Sequence, residues 1–176
     1  MYLIKSNNDF YKNKIYNFLI QKKIPILLNS SKKIYGILNF EFFAKNLKVQ
    51  FNENQLIFDL PLNIEHFFHE MYNLLSENFI QVGELTYYPI KELISKENLT
   101  VSLRNTHNLI FNQALINKNN GVLKTELYNL VWPLDVNVQI NKLDTHLTNL
   151  KNFLKKELQY DLKFVSNQGK IKFLLD

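Results

Sequence analysis

Apolar residues recur along this chain with two periods, and the switches between them mark the predicted elements. Short apolar runs bounded by Asn, Ser or Gly predict strands, whereas apolar residues three and four apart predict helices. Tyr2-Leu3-Ile4-Lys5 predicts a short strand. Asp9 predicts a cap for the helix that follows, whose stripe is Ile15, Phe18 and Leu19 and which ends near Lys23. Ile24-Pro25-Ile26-Leu27-Leu28, closed by Asn29-Ser30-Ser31, predicts a buried strand, and Tyr35 to Asn39 another. Leu47–Phe51 and Gln55–Phe58 are further strands separated by the turn-forming Asn52-Glu53-Asn54. After Pro61, Ile64, Phe67, Phe68, Met71, Leu74 and Leu75 form the stripe of a helix. Strand–helix–strand order of this kind predicts a small α/β unit with some parallel pairing.

From Phe79 the pattern changes. Phe79–Val82, Leu85–Tyr88, Lys91–Ile94 and Thr100–Leu103 are four short strands spaced by turn residues, an antiparallel meander. Three helices then follow. The first runs from about Asn105 to Ile116 with Leu109, Ile110, Ala114 and Leu115 inward and His107 on its surface. The second runs from about Lys124 to Val131 and stops at Trp132-Pro133, because proline cannot continue a helix. The third runs from Ile140 to Leu158, with Leu143, Leu147, Leu150, Leu154 and Leu158 as one apolar stripe. A closing hairpin, Lys163–Val165 and Lys170–Phe173, turns through Ser166-Asn167-Gln168-Gly169. The domain boundaries expected from this are 1–78 and 79–176.

Composition narrows the function classes. A hydrophobic content of 46% and an aromatic content of 14% predict packed cores, and 4 Gly and 4 Pro leave little material for a flexible linker. With no cysteine, disulfide scaffolds, thiolate zinc sites and cysteine nucleophiles are excluded. The N-terminal apolar run is too short for a signal peptide, and no stretch approaches the ~18 apolar residues of a membrane span. A cytoplasmic location without a membrane partner is expected.

The net charge of +5 is unevenly placed: residues 1–98 carry 11 Lys against 10 acids, residues 99–176 carry 9 Lys plus Arg104 against 6 acids. A basic end suits a polyanionic partner. The third helix adds chemistry to that charge. Opposite its leucines stand Asn141, Lys142, Thr145, Thr148, Asn149, Lys151, Asn152 and Lys155. Amides and hydroxyls can read base edges in a major groove while Lys residues neutralise phosphates.

The order of four strands, three helices and a hairpin resembles the effector domain of OmpR/PhoB-type response regulators, a winged helix-turn-helix. Gly83 to Pro89 is similar to the family's opening strands, Leu103-Arg104-Asn105-Thr106-His107 to the start of its first helix, and Glu126-Leu127 with Val131-Trp132 to its second. Leu143-Asp144-Thr145-His146-Leu147 followed by Leu150-Lys151 resembles its recognition helix, and Val165–Phe173 its wing, with Ile171 where Tyr is usual. The resemblance implies that Thr145, Asn149 and Asn152 face bases, and Asn141 at the start of the helix is expected among the DNA-binding residues. It implies that Lys142, His146, Thr148, Lys151 and Lys155 approach phosphates, joined by Lys170 and Lys172 from the wing. Asn149 stands where Arg is common. Asp144 is expected to orient a neighbouring side chain.

Residues 1–78 resemble a receiver domain in shortened form. Leu60-Pro61 is similar to the passage into a receiver's last helix, where Lys usually precedes the Pro. Ser6-Asn7-Asn8 sits where receivers carry acidic metal ligands, and Asn39 falls at the phosphoacceptor position. An amide cannot form an acyl phosphate, and without carboxylates a Mg²⁺ ion has too few ligands. No phosphoacceptor, metal or cofactor is therefore expected, and the unit serves as a dimerisation element.

Other chemistry is thinner. His66 and His69 beside Glu65 and Glu70 lack a third ligand, and no grouping of nucleophile and base can be assembled, so no enzyme is expected. The expected fold is a small receiver-like α/β domain followed by an α+β winged helix-turn-helix. The expected function is a phosphorylation-independent transcriptional regulator that binds double-stranded DNA as a homodimer, with RNA polymerase as a candidate partner. The alternative is a protein-interaction adaptor on the same scaffold that has lost specific DNA binding.

Overall fold

The strand Tyr2–Ser6 (β1) buries Tyr2 and Ile4 on one face, and it occupies an interior place in its sheet. It pairs in parallel with Ile26–Leu27 (β2) on one side and Gly36–Phe42 (β3) on the other. From β3 the sheet continues antiparallel through Asn46–Phe51 (β4) and Asn54–Asp59 (β5). Two helices, Asp9–Gln21 (α1) and Ile64–Ser76 (α2), complete this first unit. The computed structural model describes residues 2–21, 24, 26–27 and 36–175, and its contacts divide the chain into two compact units, Met1–Asn78 and Phe79–Asp176.

Aromatic rings fill the first core. Phe18 of α1, Phe40 of β3 and Phe58 of β5 gather round the fully buried Phe67 of α2, at centroid distances of 6.2, 6.4 and 5.1 Å. The strand order β2-β1-β3-β4-β5 is that of a flavodoxin-like sheet, but β3 to β5 form an antiparallel meander. Loops of a few residues, Phe43–Lys45 and Asn52–Glu53, cannot carry a parallel crossover, which needs a dozen or more. The sheet is therefore mixed, parallel through β2, β1 and β3 and antiparallel from β3 to β5.

Several local expectations are corrected. Asn8, rather than Asp9, caps α1: its Oδ1 accepts from the Tyr11 N–H at 3.2 Å. Asn63 caps α2 in the same way, accepting from Glu65 and His66 N–H. Ile64, placed by spacing in the apolar stripe of α2, is 47% exposed because it opens the helix at the surface. Lys22, Lys23, Pro25, Leu28 to Ser31 and Tyr35 lie outside the described residues.

The second unit begins with a four-stranded antiparallel sheet: Ile80–Val82 (β6), Leu85–Tyr88 (β7), Leu93–Lys96 (β8) and Leu99–Ser102 (β9). The third strand starts two residues later than its apolar run suggested. Glu92 takes a left-handed φ of 54°, and its carbonyl accepts the Leu103 N–H at 2.7 Å, so Lys91-Glu92 belong to a turn. Phe79 stands outside β6 and is exposed. Helix Asn105–Ile116 (α3), strand Val122–Leu123 (β10), and helices Lys124–Val131 (α4) and Ile140–Leu158 (α5) follow. The chain closes with Lys163–Asn167 (β11) and Lys170–Leu174 (β12), and β12 lies between β10 and β11. The hairpin turn is only Gln168-Gly169, with φ of 48° and 73°, the positive pair that a two-residue turn between twisted strands requires.

Helix α3 is the centre of this unit. From His107 to Ile116 only Leu109 is not buried, so the stripe expected on one side is replaced by burial nearly all round. Its polar residues are accommodated by hydrogen bonds. Asn108 Oδ1 accepts from the buried Tyr87 hydroxyl at 2.6 Å, and Asn108 Nδ2 donates to Glu92 Oε1 at 3.3 Å, tying α3 to the four-stranded sheet. His107, expected on the surface, is 9% exposed.

Candidate nucleic-acid interface

Five leucines fix how α5 lies. Leu143, Leu147, Leu150, Leu154 and Leu158 are all buried at 1% exposure or less and pack into one cluster with Ile110, Phe111, Leu127, Ile171 and Phe173. Burying a leucine contributes about 1.5–3 kcal/mol relative to leaving it exposed, so the rotation of the helix is strongly held. The consequence is a fixed outer face. Asn141, Thr145, Thr148, Asn149, Asn152 and Lys155 are all exposed on it, and Lys142, His146 and Lys151 flank it half-buried. Lys170 and Lys172 point away from the core on β12, whose Ile171 and Phe173 point in. The hairpin is held to α4 by the Lys124 N–H, which donates to the Gly169 carbonyl at 2.8 Å.

The hydroxyls and charges on this face are not equivalent. Thr145 Oγ1 donates to the Asn141 carbonyl and Thr148 Oγ1 to the Asp144 carbonyl, both at 2.9 Å. Their protons are committed to the helix backbone, which leaves their oxygens as acceptors. Lys151 Nζ lies 3.6 Å from Asp161, and Lys156 is paired with the neighbouring Glu157 at 2.9 Å. Lys155, Lys170 and Lys172 have no carboxylate within ion-pair distance among the described residues. Asp144 holds Lys124 Nζ at 2.6 Å, joining α5 to the start of α4.

Lys142 was read as a phosphate ligand, and the structure ties it elsewhere. Its Nζ sits 2.8 Å from Asp135 Oδ2 and 4.4 Å above the Trp132 ring, in the loop between α4 and α5. The same Asp135 oxygen accepts from the Tyr128 hydroxyl. Lys142, then Tyr128, hold the Asp135 carboxyl below its ordinary range, while burial and then Asp135 push the Tyr128 hydroxyl up. Tyr128 and Asp135 were missed in the sequence. They stand seven residues apart, with Lys142 seven further on, across a helix–loop–helix where no periodic pattern connects them.

His146 was also read as a phosphate ligand. Its ring instead joins an aromatic cluster, 5.0 Å from Trp132 and 6.1 Å edge-on to His107, which in turn faces Phe153 at 6.2 Å. Burial, then Lys142, holds the His146 ring below its ordinary pKa. For His107 burial again comes first, then His146 and Arg104. Trp132 is half-buried against the core, with the Tyr128 ring at 4.8 Å and the Lys142 ammonium over its own ring.

In the first unit, Asn39 lies mid-strand in β3, opposite Lys5 and Gln50, three residues before the strand ends. Asn7 folds onto the end of β3: its Oδ1 accepts the Phe42 N–H at 2.9 Å and its Nδ2 donates to the Phe42 carbonyl at 3.1 Å. The Asn7 amide is therefore a structural group that closes the end of β3. His66 and His69 are exposed, the former packed on Phe58, and no group of three metal-ligating side chains occurs among the described residues. Among these residues no helix is long and apolar enough to cross a membrane.

No protein-family model and no curated protein sequence matches the chain. The solved structures similar to it include the DNA-binding domain of E. coli CadC, at 17% identity and a TM-score of 0.46, over 55% of this chain and 91% of that domain.

Proposed function

We propose that residues 79–176 form a winged helix-turn-helix domain of the OmpR/PhoB type that binds double-stranded DNA. In this reading α4 and α5 are the helix-turn-helix, β11–β12 is the wing, and the protein is a cytoplasmic, non-enzymatic transcriptional regulator. The observation that carries it is the outer face of α5: an uninterrupted exposed row of Asn141, Thr145, Thr148, Asn149, Asn152 and Lys155 on a helix locked by five buried leucines. Amide and hydroxyl groups of this kind suit base edges in the major groove. Lys155 on the helix and Lys170 and Lys172 on the wing supply the phosphate contacts. Phosphorylation has no part in it, since Asn39 and Asn7 replace the carboxylates that the chemistry needs. The active form is a homodimer addressing half-sites about one helical turn apart.

The test is DNA selection with the purified protein, followed by binding titrations across salt. Lys155→Ala weakens binding to every sequence and lowers the salt slope by about one. Asn149→Ala leaves the slope and shifts the preferred bases. Binding unchanged by both variants would remove α5 from the interface.

One observation favours a second reading, an adaptor that contacts protein rather than DNA. The loop between α4 and α5 exposes Leu134 at 93% and Val136 at 96%, with Val138 and the α4 residue Leu130 exposed to a lesser degree, while Lys142 beside it is paired with Asp135. In the DNA-binding reading the same loop is the surface offered to RNA polymerase. Selection that enriches no motif would favour the adaptor.

A further inference from the structure

The first unit contains a cleft of about 370 Å³ that none of the chemistry above uses. Its walls include Tyr11, Lys14, Phe42, Pro61, Ile64 and Phe67, drawn from α1, the end of β3, the β5–α2 loop and α2. We propose that this cleft binds a small amphiphilic acid, with an apolar body between the aromatic walls and a carboxylate or similar anion at Lys14.

Three observations carry the assignment. The cleft lies at the carboxyl end of β3, beside the start of the helix that follows β1, and crevices outside the carboxyl ends of parallel strands are the usual ligand sites of such sheets. Its volume falls at the lower end of small-molecule pockets, roughly 300–1,000 Å³, too little for an inserted helix. Tyr11 stacks on Phe42 at 4.6 Å with an interplanar angle of 20°, which makes one wall flat and rigid.

The polarity of the site is specific. Among the lining side chains only Lys14 carries charge. Its Nζ rests 4.6 Å over the Phe10 ring, and no carboxylate lies within ion-pair distance among the described residues. An apolar cleft with one lysine at its exposed rim, engaged by an aromatic ring but by no carboxylate among the described residues, favours an anionic head on an apolar chain over a neutral or cationic one. The assignment is independent of the DNA-binding reading, since it concerns the first unit alone.

Isothermal titration of the full-length protein with decanoate and with decanol tests it. Saturable one-to-one uptake of decanoate is expected, with decanol bound more weakly. Lys14→Gln, at an exposed position, should weaken decanoate about fivefold and leave decanol unchanged. Ile64→Glu places a carboxylate at the exposed first position of α2, where an acid suits the helix, and should abolish decanoate uptake with an unaltered circular dichroism spectrum. No uptake, non-saturating uptake, or uptake indifferent to both variants would overturn the proposal. So would a self-associating protein that takes up no decanoate and that Ile64→Glu renders monomeric, since a second copy would then own the cleft.

Discussion

His107 and His146 place two titratable rings in contact between α3 and α5. His107 faces His146 and Arg104, and His146 faces Lys142, so every charged group acting on the pair is cationic or becomes so. Both rings are held below the ordinary value of 6.5, first by burial. On acidification the unfolded chain therefore binds protons before the folded one does, and folding loses free energy. The stability is complete above about pH 6.5 and falls as the pH drops through the lowered folded values. His107→Phe keeps a ring against Phe153 and removes one proton site. Urea midpoints at pH 7.5 and 5.5 should differ less in that variant than in the parent, and an equal difference would show that the pair does not govern the acid limb. The Asp135 node beside it has a related character. It ties Lys142, Tyr128 and the loop together, so this lysine also holds the start of α5.

Elements were legible in the sequence to the degree that they have one wet face. The leucine stripe of α5 and the alternation of β12 report directly on burial, and their bounds follow from spacing. Helix α3 defeats this logic, because a helix surrounded by protein has no polar side to contrast with its apolar one. Its Asn108, Asn112 and Gln113 are polar and yet buried. The start of β8 was obscured by the left-handed Glu92, a conformation that no apolar pattern announces. At the candidate site the outer face of α5 could be read from spacing, whereas the pairing of Lys142 and the packing of His146 depend on residues remote in sequence. Glycine usage tests how tightly the hairpin is built into its neighbours. Gly121 has φ of 68°, and a Cβ there would stand 2.9 Å from the Ile171 carbonyl oxygen. Gly169 has φ of 73° but nothing within 4 Å of its would-be Cβ. Both alanine variants carry the backbone cost of a left-handed residue, about 1–3 kcal/mol. Gly121→Ala adds a clash with a backbone atom and should be the more destabilising in chemical denaturation. Equal losses would mean that β10 can move off β12 without cost.

At the scale of the whole molecule the second unit carries its own core. The cluster running from Val82 to Leu175 draws on both of its sheets and all three of its helices, and every member lies within residues 79–176. Its polar burial is closed internally as well, through Tyr87, Asn108 and Glu92. A fragment of this size buries enough apolar surface to fold alone. Residues 79–176 expressed by themselves should therefore unfold in a single cooperative transition, with an enthalpy of about 60–80 kcal/mol expected for a 100-residue domain. The same fragment separates the sources of DNA affinity. If α5 and the wing make all the phosphate contacts, its salt slope on a single half-site equals that of the full chain, because the slope counts phosphates neutralised. On paired half-sites the fragment should bind more weakly than the full chain if the first unit supplies dimer contacts, through loss of the linked second binding event. A lower slope on the single half-site would instead show that residues 1–78 touch DNA themselves, and would move part of the interface out of the winged-helix unit.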